Sequence, residues 1–135
     1  MIKKPMKITC LLLILLGTAT VTQADTIADL QAKYTGEGAG PFTAESGRVL
    51  WQSEQQNSDG KPRSCGACHG SDLRLTGKHV VTGKKIEPMA PSANRQSLTE
   101  AGKIEKWFKR NCKWTLGREC SPQEKGDILS YLATQ

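Results

Sequence analysis

Residues Cys65-Gly66-Ala67-Cys68-His69 constrain this chain more than any other stretch. The pattern is C-x-x-C-H. Two thiols three residues apart can reach the two vinyl groups of one porphyrin and form thioether bonds. The imidazole that follows then lies under the iron as a proximal ligand. A zinc site would need two further ligands at similar spacing, and no second C-x-x-C follows. A redox dithiol of the thioredoxin kind sits in a βαβ pattern, which this sequence lacks. The reading is therefore one covalent haem c, held by Cys65 and Cys68, with His69 on the iron.

The leader is consistent with haem attachment outside the cytoplasm. Lys3, Lys4 and Lys7 precede an apolar run from Ile8 to Val21, and Thr22-Gln23-Ala24 offers small residues at −3 and −1. This reads as a secretory signal peptide over residues 1–24, too short in its apolar part for a membrane span. Cys10 leaves with it. The expected mature domain is 25–135, periplasmic, monomeric and free of the membrane. All 13 acidic residues and 16 of the 19 basic ones lie in it, for a net charge of about +3. Such a charge argues against nucleic-acid binding. After haem attachment Cys112 and Cys120 remain, and an oxidising compartment favours their pairing as a disulfide.

The helical signals flank the haem motif. Ile27, Leu30 and Tyr34 are spaced for an amphipathic helix over Thr26–Tyr34. Thr43 can cap a helix running to about Ser53, with Gly47, Leu50 and Trp51 on one face. Gln55–Ser64 is polar and reads as a mobile loop, and the segment from Gly70 to Gln96 as loop-rich, with Val80-Val81 too short to argue for a sheet. Ser97-Leu98-Thr99-Glu100 has the form of a capping box opening a helix to about Cys112. Ser121-Pro122-Gln123-Glu124 has the same form with proline at N1, and Ile128, Leu129 and Leu132 then face inward. An N-terminal and a C-terminal helix around a haem is the plan of the class I cytochromes c, an all-α fold.

Three side chains compete for the distal side of the iron. Met89 sits in Pro88-Met89-Ala90-Pro91, a proline-braced loop suited to presenting a thioether, and on the residues alone it leads. His79 lies among Gly77, Lys78 and Gly83 and reads as an exposed loop histidine. Asn111 shares a helix face with Ile104, Trp107 and Phe108, and a lone amide on an apolar face needs a reason. Trp107 and Phe108 are expected to pack on the haem. The opposite side carries Lys103, Lys106, Arg110 and Lys113, a solvated face or a surface that steers an acidic redox partner.

From Asp25 to Gln135 the sequence resembles the sphaeroides haem protein family. The resemblance is carried by Cys65–Gly70, by Thr82–Ala93, by Ile104-Glu105-Lys106-Trp107 with Arg110-Asn111-Cys112, and by Gly117-Arg118-Glu119-Cys120 with Glu124-Lys125. It implies Asn111 as distal iron ligand and a Cys112–Cys120 disulfide. Met89 stands where the family can carry leucine, so methionine ligation stays as the alternative. The resemblance further implies an iron that loses its amide ligand on reduction and then binds oxygen, nitric oxide or carbon monoxide, with a dihaem cytochrome c as electron donor. The other reading is a plain electron carrier with permanent His69/Met89 ligation. A catalytic haem enzyme would need a distal acid–base pair, and none is evident.

Overall fold

The structure is a computed structural model that describes residues 22–56 and 59–135. The expected leader, Cys10 included, therefore lies outside the described residues except for Thr22, Gln23 and Ala24. The chain forms helices α1 (Gln23–Gly36), α2 (Ala44–Gln52), α3 (Cys65–His69), α4 (Ala101–Leu116) and α5 (Pro122–Ala133). Two antiparallel ribbons of two residues per strand interrupt them. In the first, β1 (Gln55–Gln56) pairs with β2 (Pro62–Arg63), and in the second β3 (Gly77–Lys78) pairs with β4 (Lys85–Ile86).

Each long helix has a local reason to start where it does. Thr22 and Asp25 form a capping box that opens α1 three residues earlier than the spacing of apolar residues indicates. The Gln23 amide donates to the carbonyls of Asn94 and Ser97, so α1 is tied to the segment ahead of α4. Thr43 caps α2 through the Ser46 N–H, as expected. Ser121 and Glu124 make the reciprocal box of α5, with Pro122 in the first turn.

The expected capping box at Ser97 does not form. Ser97 Oγ instead donates to the Met89 carbonyl at 2.5 Å. Leu98 takes a left-handed conformation, φ 57°, which a helix start cannot contain, and its side chain packs against both apolar clusters. Burying Leu98 thus displaces the helix start to Ala101, with Glu100 as an N-cap whose side chain makes no capping bond and instead accepts from Lys103 at 3.3 Å. At its other end α4 continues past Cys112 to Leu116, where Gly117 adopts the left-handed conformation, φ 71°, that closes helices well.

Two clusters make the core. Ile27, Leu30, Tyr34, Ile104 and Leu129 join α1, α4 and α5. Trp51, Leu73, Ala90, Cys112, Cys120, Ile128, Tyr131 and Leu132 join α2, α5, the disulfide and the long loop. Phe108 and Leu98 touch both. The crossing of α2 and α5 is close because Gly47 faces the backbone of Asp127, and any side chain there would overlap the Asp127 carbonyl. Buried Asp127 returns the contact by accepting from the Thr43 N–H at 2.7 Å. Glu105 pins α4 to α1 and α5, at 2.6 Å from Lys33, 2.9 Å from Lys125 and 3.1 Å from the Tyr34 hydroxyl.

Candidate haem site

The C-x-x-C-H motif forms its own short helix, α3. Ser64 caps it by accepting from the Ala67 N–H, and Gly70 ends it at φ 78°. Helical winding brings Cys65 and Cys68 onto one side of a single turn. Both are free thiols, Cys68 buried and Cys65 partly so. Burial pushes the Cys65 thiol up to about 11, so it is protonated at neutral pH. Burial also lowers the pKa of His69, which leaves a neutral imidazole with a lone pair to give. Trp51 packs against this ring at 5.3 Å between centroids and against Tyr131 at 6.1 Å. The base of the second ribbon also lies on the motif, since a Cβ at Gly77 would overlap the Cys68 carbonyl.

The other wall comes from α4 and the loop before it. Phe108 and Leu116 are partly buried against the same cluster as Cys65 and Met89. Trp107 is 46% exposed, with the Arg110 guanidinium stacked 4.1 Å above it. Asn111 is also exposed, and among the described residues its side chain makes no hydrogen bond. The next residue, Cys112, is disulfide-bonded to Cys120 with a Cα–Cα distance of 5.5 Å, as expected. Of the expected apolar face of α4, Ile104 is buried and Phe108 half-buried, whereas Trp107 and Asn111 stand clear of the protein core.

Met89 is held differently. Its N–H and that of Ala90 both donate to the Leu73 carbonyl at 3.0 Å, and its side chain is half-buried against the apolar cluster. His79 lies in the loop of the second ribbon, as expected, but it is half-buried rather than exposed. Its Nδ1 accepts from the N–H groups of Val81 and Thr82, and its ring lies 5.6 Å from that of Trp114.

Some neighbours of the site left no signal in the sequence. Arg63, two residues before Cys65, stacks 3.9 Å from the Trp114 ring and pairs with Asp59 at 2.6 Å. Trp51 Nε1 is buried with no hydrogen-bond partner among the described residues, beside Gly66 of the motif. A helical face marks Trp51 as core; only the folded chain sets it against His69.

The donor set fits a haem c. Two free thiols stand one helical turn apart, an imidazole follows, apolar side chains line the wall, and a free amide stands on α4. Among the described residues no group of three or more His, Cys, Asp or Glu side chains could hold a bare metal ion, and no helix is long and apolar enough to cross a membrane.

Comparison with known proteins agrees with this chemistry. Residues 37–132 match the family described as Domain of unknown function (DUF1924). The chain is 43% identical over 108 residues to Cytochrome c-type protein SHP of Cereibacter sphaeroides, covering 80% of this chain and 83% of the relative. It is 34% identical over 123 residues to Cytochrome c'' of Methylophilus methylotrophus, covering 87% and 83%. The structure of oxidised SHP, an oxygen-binding cytochrome c, superposes with a TM-score of 0.74 at 43% identity, over 81% of this chain and 96% of the other. That of oxidised cytochrome c'' gives 0.71 at 31%, over 82% and 94%. The fold is thus the all-α cytochrome c fold, and the chain belongs to the sphaeroides haem protein family.

Proposed function

We propose that this protein is a periplasmic monohaem cytochrome whose distal ligand leaves on reduction, opening the iron to a diatomic gas. Cys65 and Cys68 hold the haem through thioether bonds, and His69 gives its imidazole to the iron. Trp51 packs 5.3 Å from that ring and would keep it in place. Asn111 supplies its amide oxygen from α4. A haem held there would supply reversible one-electron chemistry and a site for a small ligand.

The observation that carries the reading is the state of Asn111. Its amide has no hydrogen-bond partner among the described residues, and it stands on an exposed helix face beside Trp107. The disulfide at Cys112 fixes the backbone next to it. An amide oxygen is a hard donor, suited to ferric iron and weak toward the softer ferrous ion. Asn111 would therefore hold the iron in the ferric state only, with Trp107 and Phe108 beside it on α4. The related SHP is an oxygen-binding cytochrome c, and the solution structure of the related cytochrome c'' addresses haem-ligand detachment. A redox protein, a dihaem cytochrome c by the family resemblance, would deliver the electron.

Met89 supports a second reading, because its loop is firmly seated and its thioether packs on the cluster that includes Cys65. Permanent His69/Met89 ligation would make a plain electron carrier. Absorption spectra of the oxidised and reduced protein, with and without carbon monoxide, separate the two. Gas opening requires a high-spin reduced spectrum that changes on adding carbon monoxide. A low-spin spectrum in both states, with the methionine–iron charge-transfer band when oxidised, would establish the second reading.

A further inference from the structure

The second ribbon carries apolar side chains that the fold leaves uncovered. Val80 and Val81, in its turn, are 55 and 72% exposed, and Leu75, two residues ahead of it, is 64% exposed. The turn that presents the valines is well built. The His79 N–H donates to the Lys84 carbonyl and the Gly83 N–H to the His79 carbonyl, both at 2.8 Å. His79 Nδ1 accepts from Val81 and Thr82 at 3.2 Å, and its ring rests on Trp114. Val80 and Val81 thus stand outward on a fixed scaffold, which lowers the entropy lost when a surface covers them.

Cations surround this tip. Lys78, Lys84 and Lys85 are exposed, and only Lys85 has an ion pair among the described residues, with Glu87 at 3.2 Å. Both members of that pair are mostly exposed, so it masks little charge. The base of the ribbon lies on the haem motif, because Gly77 lets strand β3 touch the Cys68 carbonyl and the His69 backbone. One element therefore joins an apolar, basic tip to the segment that carries the proximal ligand.

We propose that the ribbon Gly77–Ile86 is the docking surface for an acidic one-electron redox protein. Val80 and Val81 form the dry centre of the contact, and Lys78, Lys84 and Lys85 steer the partner from its rim. Two valines bury too little apolar surface to hold a lipid headgroup layer, and their link to His69 gives a protein contact an electron to carry. In the step itself one electron leaves the partner's reduced centre and one ferric iron becomes ferrous. No atom is transferred. The proposal rests on Cys65, Cys68 and His69 holding the haem, and is independent of whether Asn111 or Met89 is the distal ligand.

The test is the bimolecular rate at which reduced flavodoxin, an acidic one-electron donor, reduces the haem-loaded protein at low and high ionic strength. Lys84→Glu/Lys85→Glu should slow it about tenfold at low salt and converge on wild type at high salt. Val80→Ser/Val81→Ser should slow it at both. Absorption spectra in both oxidation states and reduction by dithionite should stay at wild-type values, which separates lost docking from lost ligation. Lys106→Glu/Lys113→Glu on the basic face of α4 should have the smaller effect. Wild-type rates in both ribbon variants, or a larger loss in the α4 variant, would overturn the proposal.

Discussion

Replacing Gly47 with alanine sets two opposing effects against each other. In a helix interior the change should stabilise by about 1 kcal/mol, because glycine is a poor helix former. Gly47, however, faces the backbone of Asp127 rather than a side chain that could turn aside, and a new Cβ would also press on Tyr131 Cβ at 2.8 Å. Relief requires α2 and α5 to part. That separation weakens the Thr43–Asp127 bond and the tilted ring contacts of Trp51 with Tyr131 and His69. Overpacking against a rigid neighbour costs about 1–3 kcal/mol, and the loosened contacts add to it. The net expectation is a loss of about 2–3 kcal/mol, or a fall of roughly 8–15 °C in Tm. Gly102 is the control. It lies in the first turn of α4 with nothing within 4 Å of a Cβ. Gly102→Ala should raise stability by a few tenths to about 1 kcal/mol. Denaturant or thermal unfolding of the haem-loaded proteins, followed by circular dichroism, measures both. A Gly47→Ala protein as stable as wild type would show that the helices do not cross this closely.

Other outcomes follow from the fold. Glu105 titrates below the ordinary carboxylate range. Burial alone would raise its pKa, but hydrogen bonds from Lys33, Lys125 and Tyr34 outweigh it. A depressed folded pKa adds stability that is complete above the unfolded value, about 4.3, and is lost as pH falls through the folded value. The stability advantage of wild type over Glu105→Gln should therefore be about 1 kcal/mol at pH 7 and fade below about pH 4, measured by denaturation at each pH. Ser121→Ala should cost about 1 kcal/mol through its lost cap. Ser97→Ala should instead loosen the Met89 loop, seen as faster amide hydrogen exchange at residues 89–90. Replacing Cys112 and Cys120 together with serine should cost about 2–3 kcal/mol in denaturation, at the low end because the closed loop is short.

What could be read from the sequence was local. The motif at 65–69, the caps at Thr43 and Ser121, and the inward face of Ile128, Leu129 and Leu132 all depend on neighbours within one or two turns. The capping box at Ser97 failed because burial of Leu98, a tertiary effect, outweighed a cap typically worth about 1 kcal/mol. The apolar face that marks α4 in the sequence ends at about Cys112, whereas the helix runs one turn further to Leu116 and stops at Gly117. Two-residue ribbons have too few residues to show a period, so the pairing of Lys78 with Lys85 left no pattern. Asn111 was legible as an oddity on an apolar face, whereas the ring contact of Trp51 with His69 and the stacking of Arg63 on Trp114 join elements far apart in the chain.

The ferric spectra of the Asn111→Ala and Met89→Ala proteins, compared side by side with wild type, test the distal ligand most directly. If Asn111 is the ligand, Asn111→Ala shifts the oxidised spectrum to high spin or to that of a replacement ligand. Its reduced spectrum stays close to wild type, because the bond is already broken in that state. Met89→Ala then keeps both spectra. The account is contradicted if Asn111→Ala retains the wild-type ferric spectrum while Met89→Ala loses it.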